Sequence, residues 1–205
     1  MQSNKIFKGI LRINKQQGKD VTAHKDPLNK MDIYKLNKHF SRWELSNSAL
    51  MDKVFFDIMY GFARCGREGL RALTQDSFVL GYLPDGREYF QLAHHEITKK
   101  QQGDEPKNRD NNTERNIIVQ QPGEHMCPVL TFKFYLSKRH PKQNAFFQRP
   151  VSAMIFCPDN DVWFDNAPIG KNPLCTWMKR LSIHCHLSRH YTNHCIRSTS
   201  ATALH

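Results

Sequence analysis

No Asp or Glu occurs anywhere in residues 171–205, which carry five Lys/Arg and five His. No apolar run approaches the roughly 18 residues that a bilayer-spanning helix needs, so no membrane partner is expected. The opening residues Met1-Gln2-Ser3-Asn4-Lys5 lack the apolar core of a signal peptide, and an intracellular, reducing compartment is the expectation. No C-x-x-C pair is present; the six cysteines, at 65, 127, 157, 175, 185 and 195, are scattered and read as free thiols. Internal repeats are absent too.

What is present is a basic globular chain. With 205 residues, 39% hydrophobic and 24% charged, it can bury one core, organised as one domain with an attached arm. The net charge of +11 is unevenly spread: residues 1–48 hold ten Lys/Arg against four Asp/Glu, whereas residues 49–170 hold fifteen of each. The excess lies at the two ends, and a polyanion is its natural partner. Charge alone separates neither DNA from RNA nor either from an anionic membrane, and a soluble basic protein without nucleic acid carries the same signal.

Patterning then divides the chain. Residues 1–30 are polar and basic. Residues Asp32–Trp43 place Ile33, Leu36 and Phe40 at i, i+3 and i+7, which predicts a short amphipathic helix opening at Asp32. Ser46 and Ser48 are candidate caps for a second helix, Ala49–Ala63, whose apolar residues cover more than half its girth; such a helix belongs in the centre of a domain. Phe78–Tyr82 and Glu88–Ala93 flank Pro84-Asp85-Gly86-Arg87, a hairpin signal. After a polar stretch at 101–115, Asn116–Gln120 reads as a third strand. Pro128 suits the first turn of a helix running to Leu136. Residues 140–170 look irregular, with one strand at Ala153–Cys157. Asn172–Cys185 reads as a helix, and a last helix begins at Thr192 or Asn193. The expected fold is mainly α with a small three-stranded antiparallel sheet (α+β), with a basic arm and short helix over 1–45 and the main domain over 46–205.

Two clusters carry candidate chemistry. Arg64, Arg67 and Arg71 fall at i, i+3 and i+7, and His194 and Arg197 form an H-x-x-R pair that shares one helix face. Holding a phosphodiester needs fixed cations, and arginine suits this because its planar fork meets two oxygens and never deprotonates. The opening turn of a helix at Asn193 would add backbone N–H groups to that anion site. Taken singly, each cluster also reads as a solvated basic face. A rival set, His184, Cys185, His186, His190, His194 and Cys195, holds zinc-ligand chemistry without finger-like spacing.

Five ordered segments resemble one family. They are Gly18-Lys19-Asp20-Val21-Thr22-Ala23-His24-Lys25; Arg64-Cys65-Gly66-Arg67-Glu68-Gly69-Leu70-Arg71-Ala72-Leu73; Glu96-Ile97-Thr98-Lys99; Val162 through Leu174; and Tyr191 through Thr199. From about Leu11 onward the chain resembles crypton-type tyrosine recombinases and the crypton-derived domain (DUF3504-like) of animal MYM-type zinc-finger and glutamine-rich proteins. The order of helices, small sheet and helices is that of a tyrosine-recombinase catalytic domain.

The resemblance implies Arg67 as the first catalytic arginine, with Arg64 as the alternative, then Lys99 on a hairpin, then His194 and Arg197. It implies Arg64, Arg71, Lys100, Lys171 and Asn193 as DNA contacts, no metal or other cofactor, double-stranded DNA as partner, self-association on DNA, and a nuclear location. The family's second His or Trp and its nucleophilic Tyr have no counterpart after Arg197, and Tyr191 belongs to the box itself. The expectation is therefore a C-terminally truncated recombinase domain that binds DNA and does not cleave it. The alternative is a domesticated, non-catalytic module for protein contacts in chromatin.

Overall fold

The central helix sets the architecture. The computed structural model describes residues 25–64, 69–93 and 116–203; the segments 1–24, 65–68, 94–115 and 204–205, which include Arg67, Lys99, Lys100 and most of the basic arm, lie outside the described residues. Helix α1 spans Lys30–Phe40 and helix α2 spans Asn47–Gly61. Strands β1 (Phe78–Tyr82), β2 (Glu88–Leu92) and β3 (Ile117–Val119) form an antiparallel sheet in that order. Helix α3 (Pro128–Lys138) comes next, then strands β4 (Gln148–Pro150) and β5 (Phe164–Pro168), and helices α4 (Lys171–Cys175), α5 (Trp177–His184) and α6 (Asn193–Ala203). The mainly α class with its small three-stranded antiparallel sheet is as the sequence predicts.

Helix α2 begins where its cap dictates: the Ser46 hydroxyl accepts from the Ala49 N–H at 3.3 Å. Leu50, Met51, Val54, Phe55, Ile58 and Met59 are all buried, so the helix is enclosed over most of its girth. Three polar residues are buried with them. Asn47 donates to the Val151 and Trp163 carbonyls at 2.8 and 3.2 Å. Asp52 accepts from Trp177 Nε1 at 2.8 Å and from Arg180, and lies 2.9 Å from His39 Nε2. Lys53 pairs with Asp57 one turn on. Burial pushes the Asp57 carboxyl above its usual range while Lys53 pulls it down.

The end of α2 decides where the arginine box leaves the helix. The Ala63 N–H reaches the Tyr60 carbonyl, and the Arg64 N–H reaches the Met59 carbonyl, both at 3.2 Å. This is the Schellman termination, which wants a left-handed residue, and here Ala63 supplies it at φ 45°. Gly61 is required for a different reason: a Cβ there would sit 2.5 Å from the Ile118 side chain, so glycine lets β3 close on the helix end. Beyond it, Phe90 of β2 stacks on Phe132 of α3 with ring centroids 4.0 Å apart, sealing the sheet to the core.

Several elements differ from expectation. Helix α1 starts two residues early because Asn29, not Asp32, is the cap; the Asn29 side chain accepts from the Asp32 N–H at 2.8 Å. Leu28, Leu36, Phe40 and Trp43 belong to the same core as α2. The strand expected at Ala153–Cys157 is instead a turn, with Met154 94% exposed. Strand structure lies on either side, where β4 pairs with β5. The helix expected over Asn172–Cys185 divides at Thr176, whose hydroxyl turns back onto the Asn172 carbonyl at 2.9 Å.

Left-handed geometry costs an alanine about 1 kcal/mol. Ala63→Gly is therefore expected to stabilise the chain by about that amount, seen as a higher urea midpoint at unchanged slope.

Candidate nucleic-acid interface

Helix α6 presents the H-x-x-R pair. Its inner side, Asn193, Cys195, Ile196, Thr199 and Ser200, is buried, whereas His194 and Arg197 are exposed. Three contacts fix this rotation. The Asn193 side chain accepts from the Met178 N–H at 3.0 Å and donates to the Leu174 carbonyl at 2.8 Å. The Leu28 N–H donates to the Thr199 hydroxyl at 2.8 Å. Ahead of the helix, Tyr191 is buried and its hydroxyl donates to Asp32 at 2.7 Å. No acid sits in the first turn, so the positive end of the helix dipole adds to the two basic side chains.

Asp32 is the second anchor. It is 1% exposed and also accepts from the Ser188 N–H at 2.9 Å and from the Ser188 hydroxyl. Burial by itself would raise this carboxyl; the hydrogen bonds from Ser188 and Tyr191 and the charge of Lys35 outweigh it and hold the group below the usual carboxylate range.

The arginine box meets the same region from the other side. The short turn Leu70–Ala72 packs against α4, and Arg71, which is exposed, donates to the Ile169 carbonyl at 3.2 Å. Lys171, exposed, opens α4 two residues later. Segment 169–178 thus holds Arg71 at one end and the start of α6 at the other.

Two of the candidates are buried. Asn193 is 2% exposed, and its amide bonds to α4 and α5. Arg64 lies just past the end of α2 and is 5% exposed, whereas Arg71 is exposed. Sequence reasoning missed Asp32 and Ser188, which are 156 residues apart and carry no motif. Among the described residues no three His, Cys, Asp or Glu side chains gather as a metal-binding group, and no helix is long and apolar enough to cross a membrane.

A family model described as a domain of unknown function, DUF3504, matches residues 67–183, more than half of the chain. The chain belongs to the DUF3504 family. The matched span takes in Arg67, Arg71, Lys99, Lys100 and Lys171 and stops short of the H-x-x-R pair. No curated protein matches. Among solved structures, the chain is similar to the XerH site-specific recombinase, crystallised with its difH substrate as a pre-cleavage complex. The identity is 17% and the TM-score 0.49, over 90% of this chain and 44% of that one. The chain thus spans less than half the length of that recombinase.

For this DUF3504 chain, the two anchors make separable predictions. Asn193→Ala orphans a buried carbonyl and a buried N–H, and is expected to cost about 2–4 kcal/mol by urea denaturation. A residue acting only as a DNA contact would leave stability unchanged. Asp32 titrates below its unfolded value of about 3.9, so its contribution is complete above that pH and is lost as pH falls through the lower folded value. In Asp32→Asn, whose side chain does not ionise, the urea midpoint is expected to be lower at pH 6 and to fall less between pH 5 and acid than in the parent.

Proposed function

We propose that this chain is a DNA-binding domain of the tyrosine-recombinase type, of crypton descent, acting on double-stranded DNA in the nucleus. One observation carries the reading: His194 and Arg197 are held outward on a helix whose other contacts are all internal. A solvated basic face has no need of such fixing, because mobile side chains serve solubility equally well. The ordered boxes in the sequence support it, and so does the placement of Arg71 and Lys171 beside the segment on which α6 is docked.

In this reading Arg197 and Arg67 clamp the non-bridging oxygens of one phosphate. His194 donates to the same group, and Lys99 stands ready to protonate a leaving sugar oxygen. Arg71 and Lys171 extend the contact along the backbone. Phosphate contacts of this kind position the duplex and carry no sequence information themselves.

Cleavage would need a nucleophile in line with phosphorus. Tyr191 does not serve: its hydroxyl is buried and hydrogen-bonded to Asp32, and Arg189 lies over its ring at 4.9 Å. Tyr191 is therefore read as a structural residue of its box and not as the nucleophile.

Duplex affinity is expected to fall steeply with salt through counterion release, and each lost phosphate contact should lower the log–log slope by about 0.9. Arg67→Ala and Arg197→Ala should each weaken binding alike for all sequences. Undetectable binding at low salt, or an unchanged double variant, would favour a protein-contact module instead. With a nicked suicide substrate and denaturing electrophoresis, no covalent band is expected; a band that vanishes in Tyr191→Phe would defeat the assignment of Tyr191.

A further inference from the structure

A cleft of about 340 Å³ opens between the start of α2, the β4–β5 pair and the α4–α5 segment. Its floor is apolar, built from Met51, Ile169 and Trp177 with Pro150, Pro168 and Pro173. Asp52 lies at the base, but both its oxygens are already engaged, by Trp177 and Arg180 on one side and His39 on the other. The base therefore offers an incoming group nothing polar to bind. The rim differs: Arg149 and Arg180 line it with side chains 65% and 49% exposed, and Ser48 is exposed beside them. Arg180 lies over the Trp177 ring at 4.7 Å and pairs with Asp52, while half of its side chain stays open to solvent at the rim. Arg149 meets Asp165 through Nε at 2.8 Å.

An apolar slot with cations at its mouth selects a ligand that is apolar in the middle and anionic at the edge. The volume is at the lower end of the range for built ligand sites and suits one large side chain. A phosphate backbone fits it badly, since DNA offers no apolar group to fill a floor of proline, methionine and tryptophan, and two rim cations give little purchase on a duplex. Asp52 and Asp165 offset Arg180 and Arg149, and the exposed Lys171 and Lys179 of the adjoining segment leave the surroundings net positive.

We infer that this cleft docks a short acidic peptide segment of a partner protein, inserting one bulky apolar side chain between Met51 and Trp177 while a neighbouring Asp or Glu meets Arg149 and Arg180. This is a second binding surface, lined by neither His194 nor Arg197, and it does not depend on the DNA-binding reading.

The test is a phage-displayed library of random nonapeptides selected against the full chain. Enriched sequences should place Leu, Ile, Phe or Trp next to Asp or Glu. A fluorescein-labelled consensus peptide should then bind about tenfold more weakly to Ser48→Trp, which fills the mouth, and to Arg149→Glu, which reverses a rim charge. Both positions are exposed, and the Arg149–Asp165 pair is a surface one that contributes little to folding, so both variants should keep the parent urea midpoint. Ser48→Trp should keep the parent DNA affinity. Failure to enrich any sequence, enrichment without carboxylates, or unchanged binding in both variants would overturn the inference. So would displacement of the peptide by duplex DNA together with loss of DNA binding in Ser48→Trp, which would assign the cleft to the DNA surface.

Discussion

The structure depends on a helix that is buried over most of its girth yet carries polar residues. A buried polar group without a partner is costly, so each one on α2 fixes the position of whatever satisfies it. Asn47 fixes the approach of the β4–β5 region through two carbonyls. Asp52 ties α1 and α5 to the same turn through His39, Trp177 and Arg180. Hydrophobic contact makes the centre favourable, but it tolerates sliding. The directional bonds of these side chains set where the flanking helices come to rest.

The same logic reappears at the basic face. Helix α6 is amphipathic in an uncommon sense: its inner side is mostly small or polar, with Asn193, Thr199 and Ser200 beside Cys195 and Ile196. Its rotation is set by hydrogen bonds more than by apolar area. Asp32 performs the equivalent task for the segment before it, accepting from Ser188 and Tyr191. With its inner side bonded in this way, α6 exposes the side that carries His194 and Arg197. Orientation of that kind is the condition for any phosphate clamp, since a guanidinium that must first be ordered spends binding energy on its own entropy.

Local signals proved readable where the physics is local. The Ser46 cap, the hairpin around Pro84-Asp85-Gly86-Arg87 and the proline opening α3 each act within one turn of chain, and their elements lie where expected. The β4–β5 pair was not readable. Phe164-Asp165-Asn166-Ala167-Pro168 has the composition of a loop, and only pairing with Gln148–Pro150 makes it a strand. The more strand-like Ala153–Cys157 pairs with no strand among the described residues and turns, with Phe156 packed on Trp163. Thr176 divides a helix that periodicity joins, through a bond from its own side chain.

The sequence alone determined the class of the fold, the uneven charge, the order of the boxes and the H-x-x-R pair on one helix face, because composition and spacing of three residues do not depend on distant chain. Tertiary structure decided which of the candidates face outward. It buried Arg64 and Asn193, left Arg71, Lys171, His194 and Arg197 exposed, and joined Asp32 to Tyr191 across 159 residues. It also made a cleft from residues that share no motif. Burial and long-range hydrogen bonding are properties of the packed whole, and no window along the chain contains them.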